Sequence, residues 1–157
     1  MSTPDGWDLT GKKAVISADR RGWTKFFSSA LAEAGADVAI IGSENSDMEE
    51  AGNKASGYGR KVITQTTNLM SKTSIDKSIQ SINDDFGTID ILVNNAKVNF
   101  GKRFEEVTES EFDNLMDFNL KSMFLTCQSV GRTMLKNKRG HIAVSYTHLT
   151  LPTKRIV

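Results

Sequence analysis

The sequence predicts an α/β protein in which a parallel sheet is covered by helices on both faces. Three observations carry that expectation. Short apolar runs alternate strictly with longer segments of helical period, the pattern of strand–crossover–strand units. The runs are rich in Val and Ile and short, as strands buried on both faces are. The chain of 157 residues is long enough for one core, burying roughly two-thirds of the surface its unfolded form exposes.

Taken in order, "KKAVIS" (12–17), "DVAIIG" (37–42), "KVITQT" (61–66) and "DILVNN" (90–95) are the expected strands. Between them "WTKFFSSALAEAG", "NSDMEEAGNKASG" and "SKTSIDKSIQSINDDFG" are the expected helices, each closing on glycine. Gly52 and Gly57 weaken the second of these, at about 1 kcal/mol each relative to alanine in a helix interior. A long helix is expected from about Glu109 to Asn137, entered through Thr108 and Glu111, which have the spacing of a capping box. On that helix Phe112, Leu115, Met116 and Met123 form one apolar stripe, predicted to face the core, with Asn119 in its middle. "RGHIA" (139–143) begins a fifth strand.

Composition removes several functions. Twenty Lys and Arg against 19 Asp and Glu leave a net charge of +1, and no basic run forms a stripe for nucleic acid. Cys127 is the single cysteine and sits in an apolar helical stretch, which suits a buried side chain in a reducing compartment. His141 and His148 lack partners at ligand spacing, so no metal site is expected. No apolar run approaches the roughly 20 residues that cross a bilayer, and "MSTPDGWDLTGKK" lacks the hydrophobic segment of a secretory signal. A cytoplasmic protein with no membrane partner is the expectation.

In an alternating sheet ligands sit at the carboxyl ends of the strands, beside the point where strand order reverses. The first strand here runs into "SADRRGWTKFF", where a phosphate would meet free backbone N–H groups and the positive end of a helix dipole. From residue 9 to about 143 the chain resembles the short-chain dehydrogenase/reductase family. That family's Thr-Gly-x-x-x-Gly-x-Gly turn is matched by Ser17, Ala18, Asp19, Arg20, Arg21, Gly22, Trp23 and Thr24. Its Asn-Asn-Ala-Gly is matched by Asn94, Asn95, Ala96 and Lys97, and its fourth-helix asparagine by Asn119 within "MDFNLKSMFL". The resemblance implies a three-layer, doubly wound Rossmann-type sheet, here truncated within or after the fifth strand. It implies hydride transfer between a nicotinamide cofactor and a small alcohol or ketone, in subunits that pair through their fourth and fifth helices as homo-oligomers.

The departures are specific. Ala18 replaces the first glycine and is tolerable only with a negative φ. Thr24 replaces the third and adds bulk where helix and strand pack, and Trp23 adds more. Two readings stay open: a cradle for a dinucleotide, or a tight connection in a domain that has lost it. The resemblance assigns cofactor contacts to Ser17, Ala18, Arg20, Arg21, Gly22, Trp23, Ser43, Asn68, Leu69, Asn94 and Ala96, with Asn68 and Leu69 flanking adenine. NADP is favoured over NAD, because Gly42 stands where an acidic residue would bond the ribose hydroxyls and Arg20 and Arg21 suit a phosphate. Glu44 supplies an opposing charge, and a solvated surface pair is the alternative for the two arginines.

Asn119 resembles the tetrad member that holds a water at a kink in its helix, linking solvent to a lysine. That lysine and the nicotinamide lower the pKa of a tyrosine, the acid–base group, while a serine orients the carbonyl. Read without the resemblance, Asn119 is a core amide with satisfied hydrogen bonds. The expected Ser and Tyr-x-x-x-Lys are missing: Tyr146 is followed by "THLT", and Ser145 comes too early. After Ala143 the likeness stops, and "VSYTHLTLPT" back-translates to a transposase adapter used to tag DNA. Residues 1–143 are therefore read as an incomplete NAD(P)-binding domain and 144–157 as a non-native tail, with no catalytic role for Ser145, Tyr146 or His148. A non-catalytic nucleotide-binding module, and an interaction domain without nucleotide, are the alternatives.

Overall fold

The structure is a computed structural model and describes residues 6–18, 22–44, 47–98 and 101–145. Arg20, Arg21 and the tail from Tyr146 onward, each assigned a reading from sequence, lie outside the described residues. The strands are β1 (Lys13–Ser17), β2 (Asp37–Gly42), β3 (Val62–Thr66), β4 (Ile91–Asn94) and β5 (His141–Val144). The helices are α1 (Thr24–Glu33), α2 (Met48–Ser56), α3 (Lys72–Phe86), α4 (Glu109–Met116) and α5 (Ser122–Lys136), with a 3-10 turn at Phe104–Glu106.

All five strands are parallel and lie in the order β3-β2-β1-β4-β5. Strand order therefore reverses between β1 and β4, and the carboxyl ends of these two strands flank the crevice that such a reversal opens. Alternate residues of each strand face opposite layers. Val15, Ala39, Ile41 and Leu92 pack with Ile75, Ile79, Ile82 and Phe86 of α3 and Val130 and Met134 of α5. Ile16, Val38, Ile40 and Val93 pack on the other face with Ala32 of α1 and Ala51 and Ala55 of α2. Each such large side chain, fully buried, contributes about 1.5–3 kcal/mol, and together they fix the register.

Charge and caps set the ends of the elements. Asp90, buried ahead of β4, accepts from the Lys13 backbone N–H at 3.0 Å and pairs with Arg139, so one carboxylate ties together the starts of β1, β4 and β5. Helix α3 is capped by Ser71, which accepts from the Ser74 N–H, and stops at Gly87 in the left-handed conformation with φ 76°. Helix α2 forms despite its glycines. A Cβ on Gly52 would lie 2.7 Å from Thr64 Cγ2, so the bare backbone is what lets α2 rest on β3.

The long fourth helix differs from expectation. It is one run in three parts, with a π-helical turn over Asp117–Lys121 joining α4 to α5. The stripe predicted to face the core does not: Phe112 is 51% exposed and Met116 37%, and the buried face is Ser122, Thr126, Ser129, Val130 and Met134. The wide turn inserts a residue and rotates the later face, and hydroxyls occupy that face because they bond back to their own helix. Ser122 donates to the Phe118 carbonyl and Thr126 to the Ser122 carbonyl.

Candidate functional site

Two structures meet at the crevice. The first is a buried hydrogen-bonded knot between the ends of β1 and β4. Ser17 Oγ donates to Asn94 Oδ1 at 2.8 Å and accepts from the backbone N–H groups of Asn95 and Ala96 at 2.9 and 3.0 Å. The Asn94 amide donates onward to the Met123 carbonyl at 3.1 Å and to Cys127 Sγ at 3.4 Å. The Asn94 carbonyl accepts from Ser145 N–H, continuing the β4–β5 ladder one residue beyond Val144. Ser17, Asn94 and the Ala96 N–H are thus engaged inside the protein; they shape the cradle's floor. Cys127 enters this knot as an acceptor.

The phosphate turn leaves the knot directly. Ala18 is buried, donates to the Ile41 carbonyl at 2.7 Å and keeps a negative φ, as an alanine in that position must. Gly22 takes φ 79°, a conformation that needs glycine. Thr24, expected to crowd the helix–strand contact, is accommodated and wholly buried. Trp23 stands at the head of α1 with 55% of its surface exposed, tilted against Phe26 with ring centroids 5.8 Å apart. Its indole therefore lies in large part on the surface, against Phe26.

The second structure is a hollow of about 290 Å³ at the carboxyl ends of β2 and β3, lined by Ser43, Glu44, Thr66, Thr67, Asn68 and Leu69. Three residues predicted to hold the adenosine end, Ser43, Asn68 and Leu69, are brought together there. Asn68 uses its carboxamide oxygen to accept from the Met70 N–H at 3.0 Å, which sets the turn and leaves its amide protons available. Leu69 is 4% exposed and doubles as a core residue. Thr66 and Thr67 were not foreseen; Thr67 is pinned by Ser78 at 2.8 Å.

Asn119 lies within the π-helical turn. It is bound reciprocally to one residue of the loop after β4: its amide donates to the Val98 carbonyl and its oxygen accepts from the Val98 N–H, both at 2.7 Å. The carboxamide has one more donor and one more acceptor position. Asn95, matched to the family motif but assigned no contact, is 1% exposed and neither its amide nitrogen nor its oxygen has a partner among the described residues. A buried orphan amide is expensive, and its place at the strand reversal marks this crevice as a site where a further polar group fits. Its sequence signal was its place in the Asn-Asn-Ala-Gly match, directly after Asn94 at the end of β4.

An open hollow, a left-handed glycine at the turn, and hydrogen-bonding groups at the strand reversal together fit a dinucleotide. Among the described residues no group of His, Cys, Asp and Glu is placed to hold a metal ion. No helix among them is long and apolar enough to cross a membrane.

Comparison with known proteins agrees with this geometry. Gluconate 5-dehydrogenase of Gluconobacter oxydans (strain 621H) is 30% identical over 142 residues, covering 90% of this chain and 56% of that protein. The 3-oxoacyl-(acyl-carrier-protein) reductase FabG of Vibrio cholerae is 32% identical over 135 residues, covering 86% of this chain and 54% of that protein. The chain thus spans about half the length of the curated relatives it matches. A short-chain type dehydrogenase/reductase from Mycobacterium marinum has the same fold, with TM-score 0.84 at 26% identity over 97% of this chain and 64% of that one. The family model for short chain dehydrogenases matches residues 12–146, and the chain belongs to that family.

Proposed function

We propose that this chain is the nucleotide-binding part of an NAD(P)-dependent oxidoreductase that interconverts an alcohol and a ketone, with NADP the preferred cofactor. The hollow formed by Ser43, Glu44, Thr66, Thr67, Asn68 and Leu69 beside the β1–β4 reversal carries this reading, because it is where the adenosine half of a dinucleotide would lie. Ser43 and the Asn68 amide would hold the ribose and base. The backbone from Ala18 to Trp23 would hold the phosphates at the head of α1, helped by Arg20 and Arg21. Ser17, Asn94 and Ala96 would keep the two strand ends together beneath them. Glu44 lines the same hollow, and its charge opposes a 2′-phosphate, so the preference for NADP rests on Gly42 and the two arginines.

A bound nicotinamide supplies the carbon that gives or takes the hydride. Asn119 would hold the π-helical turn against Val98 and keep one donor and one acceptor for a water at that turn. Nothing else among the residues read from this sequence moves a proton, since no lysine follows Tyr146 at the family's spacing. The chain is accordingly expected to bind the cofactor without turnover, in a cytoplasmic setting, and to self-associate.

Calorimetric titration of the chain with NADP and with NAD tests this. Saturable binding, tighter for NADP, with no NADPH oxidation on a panel of carbonyl compounds, is the expected result. Absence of binding by both nucleotides overturns the reading, and tighter NAD binding overturns the preference. Measurable NADPH oxidation overturns the division of roles.

A further inference from the structure

The phosphate turn of this chain lacks two of the three glycines that ordinarily let a dinucleotide press against backbone N–H groups. A lysine stands at the same place. A Cβ built on Gly22 would lie 3.9 Å from both Cε and Nζ of Lys25, so the ammonium hangs over Gly22, whose φ is 79°. Its stem is held rather than free: Nζ is 5.8 Å from the centroid of the Phe26 ring, and the side chain is 24% exposed. Lys54 Nζ approaches the same ring at 5.8 Å, adding a second positive charge to this corner. Among the described residues, helix α1 carries no acidic residue in its first turn and no side-chain cap at Trp23.

Among the described residues, the anion paired with Lys25 comes from the next helix. Glu50 Oε1 is 2.7 Å from Nζ, and that hydrogen bond holds the Glu50 carboxyl below its ordinary range despite a small opposing effect of burial. Glu50 is exposed, and an exposed pair of this kind is weak. Its carboxylate therefore marks a spot where Lys25 already accommodates an anionic oxygen, at a low cost of exchange.

Resting on the dinucleotide reading above, we propose that Lys25 is a phosphate-contacting residue of this turn, replacing by charge what the missing glycines withhold in backbone contacts, and that Glu50 competes for it. A phosphate oxygen arriving over Gly22 takes the Lys25 ammonium from Glu50. Lysine serves phosphate as a point charge and needs no fixed fork, which suits a turn short of glycines. Because Glu50 holds Lys25 in the free protein, the apparent affinity is reduced by the fraction so held.

The signs of two substitutions separate this role from that of a strut between α1 and α2. NADP and NAD are titrated at low ionic strength into the chain and into Lys25→Gln, Glu50→Gln, Lys25→Arg and the Lys25→Gln/Glu50→Gln pair, with thermal melts alongside. Lys25→Gln is expected to weaken binding about tenfold and Glu50→Gln to tighten it roughly twofold to fivefold. The pair should match Lys25→Gln, and Lys25→Arg should retain most of the affinity. Loss for both nucleotides assigns the contact to the pyrophosphate; loss for NADP alone assigns it to the 2′-phosphate. Glu50→Gln weakening binding together with a lower melting temperature would show a strut and overturn the proposal. So would Lys25→Gln binding both nucleotides unchanged. A wild-type chain that binds neither nucleotide overturns the dinucleotide reading itself, and this inference with it.

Discussion

Ser17 shows how much one hydroxyl can organise. It is fully buried, donates to Asn94 and accepts from two successive N–H groups, so three polar groups of β4's end depend on one atom. Replacing it with alanine leaves two buried N–H donors and a carboxamide oxygen without their partner. Ser17→Ala is therefore expected to lower unfolding stability by about 2–4 kcal/mol, read as a shift of the urea midpoint at unchanged slope. Ser17→Thr keeps the hydroxyl, which the family's own turn carries at this position, and should cost less than half as much. If the alanine variant were as stable as the threonine one, the knot would not hold the crevice. No local signal revealed this knot, because its members are 77 to 79 residues apart and meet only once β1 lies beside β4. The same holds for the hollow: Ser43, Asn68 and Leu69 were legible from their places after two strands, whereas Thr66 and Thr67 line it only through the packing of those strand ends.

At the scale of elements, capping was readable from spacing and the break in the long helix from the family resemblance at Asn119, whereas the face that helix buries was not. Thr108 and Glu111 form the reciprocal box their spacing announces, with Thr108 Oγ1 accepting from Glu111 N–H and the Glu111 carboxylate accepting from Thr108 N–H at 3.0 Å. The π-helical turn was signalled by the resemblance at Asn119 and not by propensity, which one extra residue in a helical run does not change; Phe112 and Met116 of the stripe predicted to face the core lie exposed. The capping box carries a pH dependence of definite sign. A hydrogen bond from Lys102, then those from Thr108, hold the Glu111 carboxyl down to about 2. A free glutamate titrates near ~4.3. The folded value is the lower, so the contribution is complete above the unfolded value and is lost as pH falls through the folded one. The stability gap between the wild-type chain and Glu111→Gln should be constant from neutral pH to about 5 and shrink steadily toward pH 2. Thr108→Ala should cost about 1 kcal/mol at neutral pH. A gap that does not narrow in acid would mean that the box is absent in solution.

For the whole molecule, the question is which exposed apolar surface governs association. Two are available. Among the described residues strand β5 pairs only with β4, and it is exposed along its length, with Ile142 at 44% and Val144 at 48%. Joining through such an edge leaves another edge free and grows open assemblies. The other surface is the outer face of the α4–α5 run, where Phe112, Met116, Leu120 and Phe124 recur every four residues and are 51%, 37%, 51% and 59% exposed. A four-residue repeat drifts around an ordinary α-helix, and the wide π-helical turn between Asp117 and Lys121 reduces that drift. Met116, Leu120 and Phe124 also line a shallow hollow of about 440 Å³ with Asp117 and Lys121, which stand 3.6 Å apart. A face that carries both an acid and a base beside its apolar row could complement itself: turned antiparallel on a second copy, each Asp117 would face a Lys121, and the expected pairing is a closed two-fold dimer. Leu120→Glu places a like charge in the middle of that contact while touching nothing in the core. Sedimentation across a concentration series should show a dimer for the wild-type chain and a monomer for Leu120→Glu, with melting temperature of the monomeric form little changed. Ile142→Lys, on the other surface, should leave the dimer intact and reduce only turbidity on storage. A dimer that survives Leu120→Glu and is lost in Ile142→Lys would transfer the interface from the helices to the sheet edge, and a wild-type chain that stays monomeric at every concentration would remove it altogether.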